Sequence, residues 1–145
     1  MCDNRKRSVG RKRNDLLALA QGDYVTFVDD DDTVTDDYVV SLLGALGPDV
    51  VTFDVSVTLN GGQPFPMIFS KDFEAENRDG LWLRPPNHLM CVRRDLAVQT
   101  GFPDVGVGED ADYARRLRLS TEHRINRTLY HYRYDDRVTL TQRGN

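Results

Sequence analysis

Cysteine is almost missing from this sequence. Cys2 and Cys91 are too few for a disulfide framework and lack the CxxC spacing of a metal pair, so both read as free thiols. Long hydrophobic runs are missing too. No apolar stretch approaches the ~20 residues of a membrane span, and "MCDNRKRSVG" has no apolar signal core. No membrane partner and a cytoplasmic address are the expectations. Internal repeats, low-complexity tracts and linkers are absent as well. At 145 residues the chain reads as one domain over 1–145, able to bury about two-thirds of its unfolded surface.

Charge is present in quantity, and its placement says more than its sum. The net charge of −4 argues against nucleic acid as the main partner. Arg5, Lys6, Arg7, Arg11, Lys12 and Arg13 crowd the start, and Asp29, Asp30, Asp31, Asp32, Asp36 and Asp37 crowd the segment from 29 to 37. Two solvated faces would explain this, as would an internal match between the groups. A site holding a cation beside a polyanion would explain it too.

Ser8 is placed to cap a helix running to about residue 20, with Gly22 closing it. Val9, Leu16, Leu17 and Ala20 form its apolar stripe, with Arg13 in the middle. "YVTFV" predicts a strand buried on both faces, as in a parallel sheet. A helix "YVVSLLGALG" comes next, stopped by Gly47-Pro48. "VVTFDVSV" and "FPMIF" predict strands paired antiparallel across "LNGGQPF". "SKDFEAENRDG" reads as a mobile loop, and Pro85-Pro86 breaks the apolar segment after it. Helices are expected over about 93–99 and 108–119. The closing strand "TLYHYRY" alternates, with Tyr130, Tyr132 and Tyr134 on one face and His131 and Arg133 on the other. The class is α/β with a mixed sheet.

Three constellations carry chemistry. The aspartate run ends a strand, and in open α/β sheets that rim is where ligands bind. Alternating carboxylates such as Asp29 and Asp31 can offer oxygens to Mg2+ or Mn2+; an acidic loop capping the next helix is the plainer account. Arg13, a guanidinium on an apolar stripe, needs an anion. A salt bridge to the aspartates or a bound diphosphate would serve equally. In "VGVGEDADYARRLRL", Asp110 shares a helix face with Tyr113, Ala114 and Leu117. Glu109, Asp110 and Asp112 are explained either by capping of the helix dipole or by an inward carboxylate acting as general base.

Together these residues resemble family 2 glycosyltransferases of the GT-A fold. The carrying motifs are Arg13-Asn14, Gly22-Asp23-Tyr24, "VTFV" and the four aspartates, then Arg93-Arg94, Gly101-Phe102, Glu109-Asp110 and Arg116-Leu117. The resemblance covers about residues 8–134. It implies that Asp31 holds the metal bridging the donor diphosphate and that Asp29 contacts the donor, with Asp30 and Asp32 as neighbours. Arg13 stabilises the departing diphosphate, and Asp110 is the base, with Glu109 beside it. His131 matches the late histidine that supplies a further metal ligand, though a strand histidine among tyrosines is the alternative. Asn87, His88 and Trp82 lie where the family builds its sugar or acceptor pocket; Trp82 reads equally as core.

The implied reaction is an inverting transfer from a UDP-hexose, UDP-galactose or UDP-glucose, to a hydroxyl acceptor, with Mn2+ or Mg2+. A homodimer is a further expectation. The family's usual N-terminal βαβ unit has no counterpart here, so a truncated, Rossmann-like GT-A domain is expected, similar to small bacteriophage enzymes. "CDN" is then a remnant of the base-binding edge.

Two rival classes fit less of the chain. A haloacid-dehalogenase-type phosphatase would use Asp29, Asp31 and Thr33, with Lys71 and "GEDADY". It leaves Arg13-Asn14 unexplained. A non-catalytic nucleotide-sugar or metal-binding module is the other. An EF-hand is excluded, because Val34 or Thr35 stands where its loop needs glycine.

Overall fold

The computed structural model describes residues 6–137; Cys2 and the edge expected at residues 2–4 lie outside them. The order is α1 (Val9–Leu19), β1 (Tyr24–Val25), β2 (Thr33–Val34), α2 (Tyr38–Leu43), β3 (Val50–Leu59) and β4 (Phe65–Phe69). Then come β5 (Glu76–Arg78), β6 (Leu81–Arg84), β7 (Cys91–Arg93), α3 (Arg94–Thr100), α4 (Glu109–Arg116) and β8 (Glu122–Tyr134). No helix among the described residues is long and apolar enough to cross a membrane.

Ser8 starts α1 as its position predicts, its hydroxyl accepting the Arg11 amide at 3.1 Å. The buried face differs from the apolar stripe. Gly10, Arg13 and Leu17 point inward, while Leu16 and Leu19 are exposed. Gly10 decides this. A Cβ there would stand 1.8 Å from the Pro103 carbonyl oxygen, so only glycine lets α1 lie against residues 103–105.

Valine-rich β3 is the centre of one mixed sheet. β8 runs parallel to it over its whole length, β4 antiparallel to its second half, and β7 antiparallel to its start. The β3–β4 hairpin is the one expected, with Asn60 (φ 50°) and Gly61 (φ 71°) supplying the left-handed turn. β6 continues parallel to β4, and β5 pairs antiparallel with β6. Thus part of "SKDFEAENRDG" is strand, contrary to the loop expected there. Two helices stop early: α2 at Leu43 and α4 at Arg116.

The largest correction concerns "YVTFV". Only Tyr24 and Val25 form a strand, half-buried at the sheet edge and antiparallel to β7. Beyond them the segment still leans on the 88–89 backbone, through Phe27 N–H to His88 O and the Thr26 hydroxyl to Leu89 O, both at 3.0 Å. It is apolar because it lies against the core, yet it lacks a parallel neighbour.

Register gives the sheet a defined working face. Tyr130, Tyr132 and Tyr134 stand opposite Val55, Val57 and Leu59. Val55 and Val57 stand opposite Met67 and Phe65, and Met67 and Phe69 opposite Trp82 and Arg84. Paired residues share a side, so one face runs from the β8 tyrosines to Trp82 and Arg84. The alternation expected for β8 holds: Tyr130 is buried and His131 exposed.

Candidate active site

The aspartate run leaves β1 and turns on itself, the Asp32 amide donating to Asp29 O at 3.1 Å. The turn sends the four carboxylates two ways. Asp29 is half-buried and Asp32 buried, while Asp30 and Asp31 are exposed. Asp29 receives Arg13 Nη2 at 3.0 Å and pairs with His88 Nε2 at 3.2 Å. Arg13 Nη1 donates to Glu109. The same guanidinium lies 5.6 Å from the ring centre of Phe102 and 6.0 Å from that of Phe27, and Phe102 stacks on Tyr113. A buried cation is thereby set between two carboxylates and two aromatic rings. Burial favours the neutral acid at Asp29, but His88 and Arg13 outweigh it and hold the carboxyl down at about 2.

Asp32 is held differently. It accepts the Tyr130 hydroxyl at 2.6 Å and the Arg133 amide at 2.9 Å. Burial pushes its carboxyl up to about 6; these two donors oppose the shift, and Asp29 and Asp31 add to it. The Tyr130 oxygen also accepts the Asp29 amide at 3.1 Å, so one tyrosine fixes both ends of the run. Among the described residues nothing engages the side chains of Asp30 and Asp31.

The start of α4 corrects the expectation for Asp110. Gly108 (φ 84°) leads into the helix, and the acid facing the core is Glu109, on one side with buried Tyr113. The helix is rotated by about one position from the face predicted. Arg13 is the cause, because it draws Glu109 in. Its guanidinium pairs with two protein carboxylates, Asp29 and Glu109, as the salt-bridge account of Arg13 expects.

Asp110 is half-buried, and its side chain accepts only the neighbouring Ala111 amide, at 2.9 Å, among the described residues. Its charge reaches the working face. The Tyr132 hydroxyl is pushed up to about 12 by burial and then by Asp32, Asp110, Asp29 and Asp31. That one hydroxyl feels both the aspartate run and α4.

The other expected residues divide. Asn87 shapes the turn before β7: its Oδ1 accepts the Leu89 amide at 3.0 Å and its carbonyl the Met90 amide at 3.1 Å. His88 is buried, with Nδ1 lacking a partner among the described residues. Trp82 is half-buried on the working face, edge-on to Phe65 at 5.0 Å and 5.1 Å below the Arg84 guanidinium. His131 is exposed on the opposite face of β8 from Tyr130, so alternation separates it from the hydroxyl that grips the run.

Several motif residues are clamps on the backbone. Asn14 makes two 2.8 Å bonds to Phe102, one to its carbonyl and one from its amide. Arg94 holds Ala20 O at 2.9 Å, and Arg116 holds Thr100 O and Gly101 O. Sequence reasoning missed Tyr130, Tyr132 and Arg84. Alternation placed the tyrosines on one face, but register alone decided which of them meet the aspartates.

Among the described residues no three His, Cys, Asp or Glu side chains gather as a metal cage. The exposed, unengaged pair Asp30 and Asp31 still fits a hard divalent cation of the Mg2+ kind. Such an ion is bound by one or two carboxylates, with substrate phosphates and water completing its shell.

The glycosyl transferase family 2 model matches residues 2–108, which include the Arg13-Asn14 pair and the whole aspartate run. No curated protein matches the chain. The phosphatase reading gives way. Its nucleophile Asp29 is ion-paired to Arg13, and its lysine, Lys71, pairs with Asp72 at 2.8 Å.

Proposed function

The chain belongs to glycosyl transferase family 2 and is a glycosyltransferase; on that premise we propose that it moves a hexose from a UDP-sugar, UDP-galactose or UDP-glucose, to a hydroxyl acceptor with inversion at the anomeric carbon. The supporting observation is the Arg13 bridge between Asp29 and Glu109, which holds two acidic elements together, the aspartate run and the start of α4 that carries Asp110. One belongs to the donor side and the other to the acceptor side.

Asp31, with Asp30 beside it, would hold Mn2+ or Mg2+. When bound, the cation offsets charge on the departing diphosphate. Half-buried Asp29 remains at the rim, where it can touch the donor. Arg13, His88, Asp32 and Asn87 fix the position of Asp29 and of the turn beside it. Arg13 also fixes α4 through Glu109, which is therefore a positioning residue. Asp110 takes the proton of the acceptor hydroxyl as its oxygen bonds to the anomeric carbon and the bond to the diphosphate oxygen breaks. His131, on the far face of β8, has no part in this arrangement.

Hydrolysis of a UDP-hexose with Mn2+, water replacing the acceptor, tests the reading. Asp110→Asn is expected to slow it by about a hundredfold or more, the scale of a lost general base. The rise in melting temperature with Mn2+ and UDP should persist in that variant, because binding to the native state is retained. Near-normal turnover in both Asp110→Asn and Glu109→Gln would reject the base. Absence of any UDP-hexose hydrolysis by the wild type would reject the donor.

A further inference from the structure

The cations around this site are not equivalent. Arg13 is neutralised twice, by Asp29 and Glu109. Among the described residues the Arg133 side chain reaches only Thr33 Oγ1, at 3.4 Å, and it stands with His131 on the far face of β8. Arg84 lies on the working face, half-buried, and its guanidinium covers the Trp82 ring at 5.1 Å. It donates only to backbone carbonyls, Leu83 O at 2.8 Å and Glu76 O at 3.3 Å, and pairs with no carboxylate among the described residues. Burial lowers its pKa, and the one carboxylate whose charge opposes that shift is Asp110.

A guanidinium keeps its charge at neutral pH whatever its surroundings. Arg84 is therefore a standing, partly desolvated cation that touches no carboxylate among the described residues. Stacking on an indole holds its planar fork in place, which lowers the entropy lost when the fork engages two oxygens. The carboxylate whose charge reaches it, Asp110, is the residue assigned to the acceptor.

We propose that Arg84 selects the acceptor, and that the acceptor carries an anionic group, a carboxylate or a phosphate, near its attacking hydroxyl. The proposal rests on the transferase reading for the word acceptor; the anion itself is inferred from Arg84 and Trp82. The guanidinium fork receives the anion, and the aromatic ring beneath it holds the fork.

Trp82 is the single tryptophan, so its emission reports directly on this site without any turnover. The wild-type protein is titrated with methyl β-glucuronide, methyl β-glucoside and glucose 6-phosphate. At least one anionic sugar should saturate the emission change at a concentration about tenfold or more below that of the neutral glucoside, the scale of one charge-assisted contact. Whichever anion binds more tightly identifies the group. Arg84→Gln should erase the preference and Arg84→Lys retain part of it, with melting temperatures recording that both variants fold. Equal titration by all three sugars in the wild type overturns the proposal, as does an undiminished preference in Arg84→Gln. Competition between UDP and the anionic sugar also overturns it, since Arg84 would then serve the donor diphosphate. UDP-hexose hydrolysis is measured separately: its absence rejects the transferase donor, whereas an anion preference at Trp82 stands or falls on the titration alone.

Discussion

Asp29 and Asp32 carry the same side chain as Asp30 and Asp31, yet the two pairs live under opposite conditions. The outer members of the run are enclosed, Asp29 by Arg13 and His88, Asp32 by Tyr130 and the Arg133 amide. The inner members, at the tip of the turn, are exposed and unengaged among the described residues. Four adjacent carboxylates repel one another; His88 and Arg13 offset this at Asp29 without using any outside ion, whereas Asp32 still feels Asp29 and Asp31. The inner pair is then free to recruit an outside ion. Enclosure also acts in opposite directions: Asp29 is held down at about 2 by His88 and Arg13, whereas Asp32, given only neutral donors, is pushed up to about 6 by burial.

The largest effect should come from breaking the enclosed half. Arg13→Ala leaves Asp29 and Glu109 facing each other without their cation, and removal of one partner from a buried ion pair costs about 3–5 kcal/mol. Denaturant titration reads this directly. A loss well below 1 kcal/mol would mean that water already screens the pair and that the contrast between the halves is overstated.

A smaller effect should appear in the pH dependence of the metal-free protein. A carboxyl whose folded value is depressed stabilises above its unfolded value of 3.8, and that stability is lost as pH falls toward 2; this is Asp29. For Asp32 the folded state binds the proton more tightly, so its contribution is present at low pH and is lost as pH rises from about 4 through 6. Asp32→Asn should abolish that decline, a difference of roughly 2–3 kcal/mol between pH 4 and 7 at 1.36 kcal/mol per pKa unit. Parallel stability curves for variant and wild type would remove the proposed asymmetry.

The smallest change in stability belongs to the exposed half. Asp31→Ala should alter unfolding free energy by less than about 0.5 kcal/mol, as is usual for surface positions. The same variant should lose the Mn2+-dependent rise in melting temperature that UDP produces. If the metal-dependent rise persists, the cation lies elsewhere.

Much of this organisation is legible in the sequence. The Ser8 cap, the β3–β4 hairpin and the alternation of β8 all come from local rules: hydrogen-bonding side chains at helix starts, left-handed turn residues, and the two-residue period of a strand. The failures lay wherever the outcome depended on a neighbour distant in sequence. "YVTFV" has the composition of a buried parallel strand, but composition does not reveal that only an antiparallel edge partner is available. The stripe on α1 was misjudged because Gly10 looks neutral until Pro103 stands against it. Glu109 and Asp110 could not be ranked from helical angles, since Arg13, 96 residues away from Glu109, sets the rotation.

The sequence by itself determined the chemistry available: an acidic turn after an apolar segment, a guanidinium on a helix, an acidic helix start, and an alternating tyrosine strand. Those are properties of residue type and short spacing, and they were sufficient to point to the family. Only the tertiary structure decided which carboxylates would be enclosed and which left free. Enclosure depends on whether a donor such as Tyr130 or a cation such as Arg13 arrives across the fold, and that is fixed by strand register and helix contact, which no local pattern encodes.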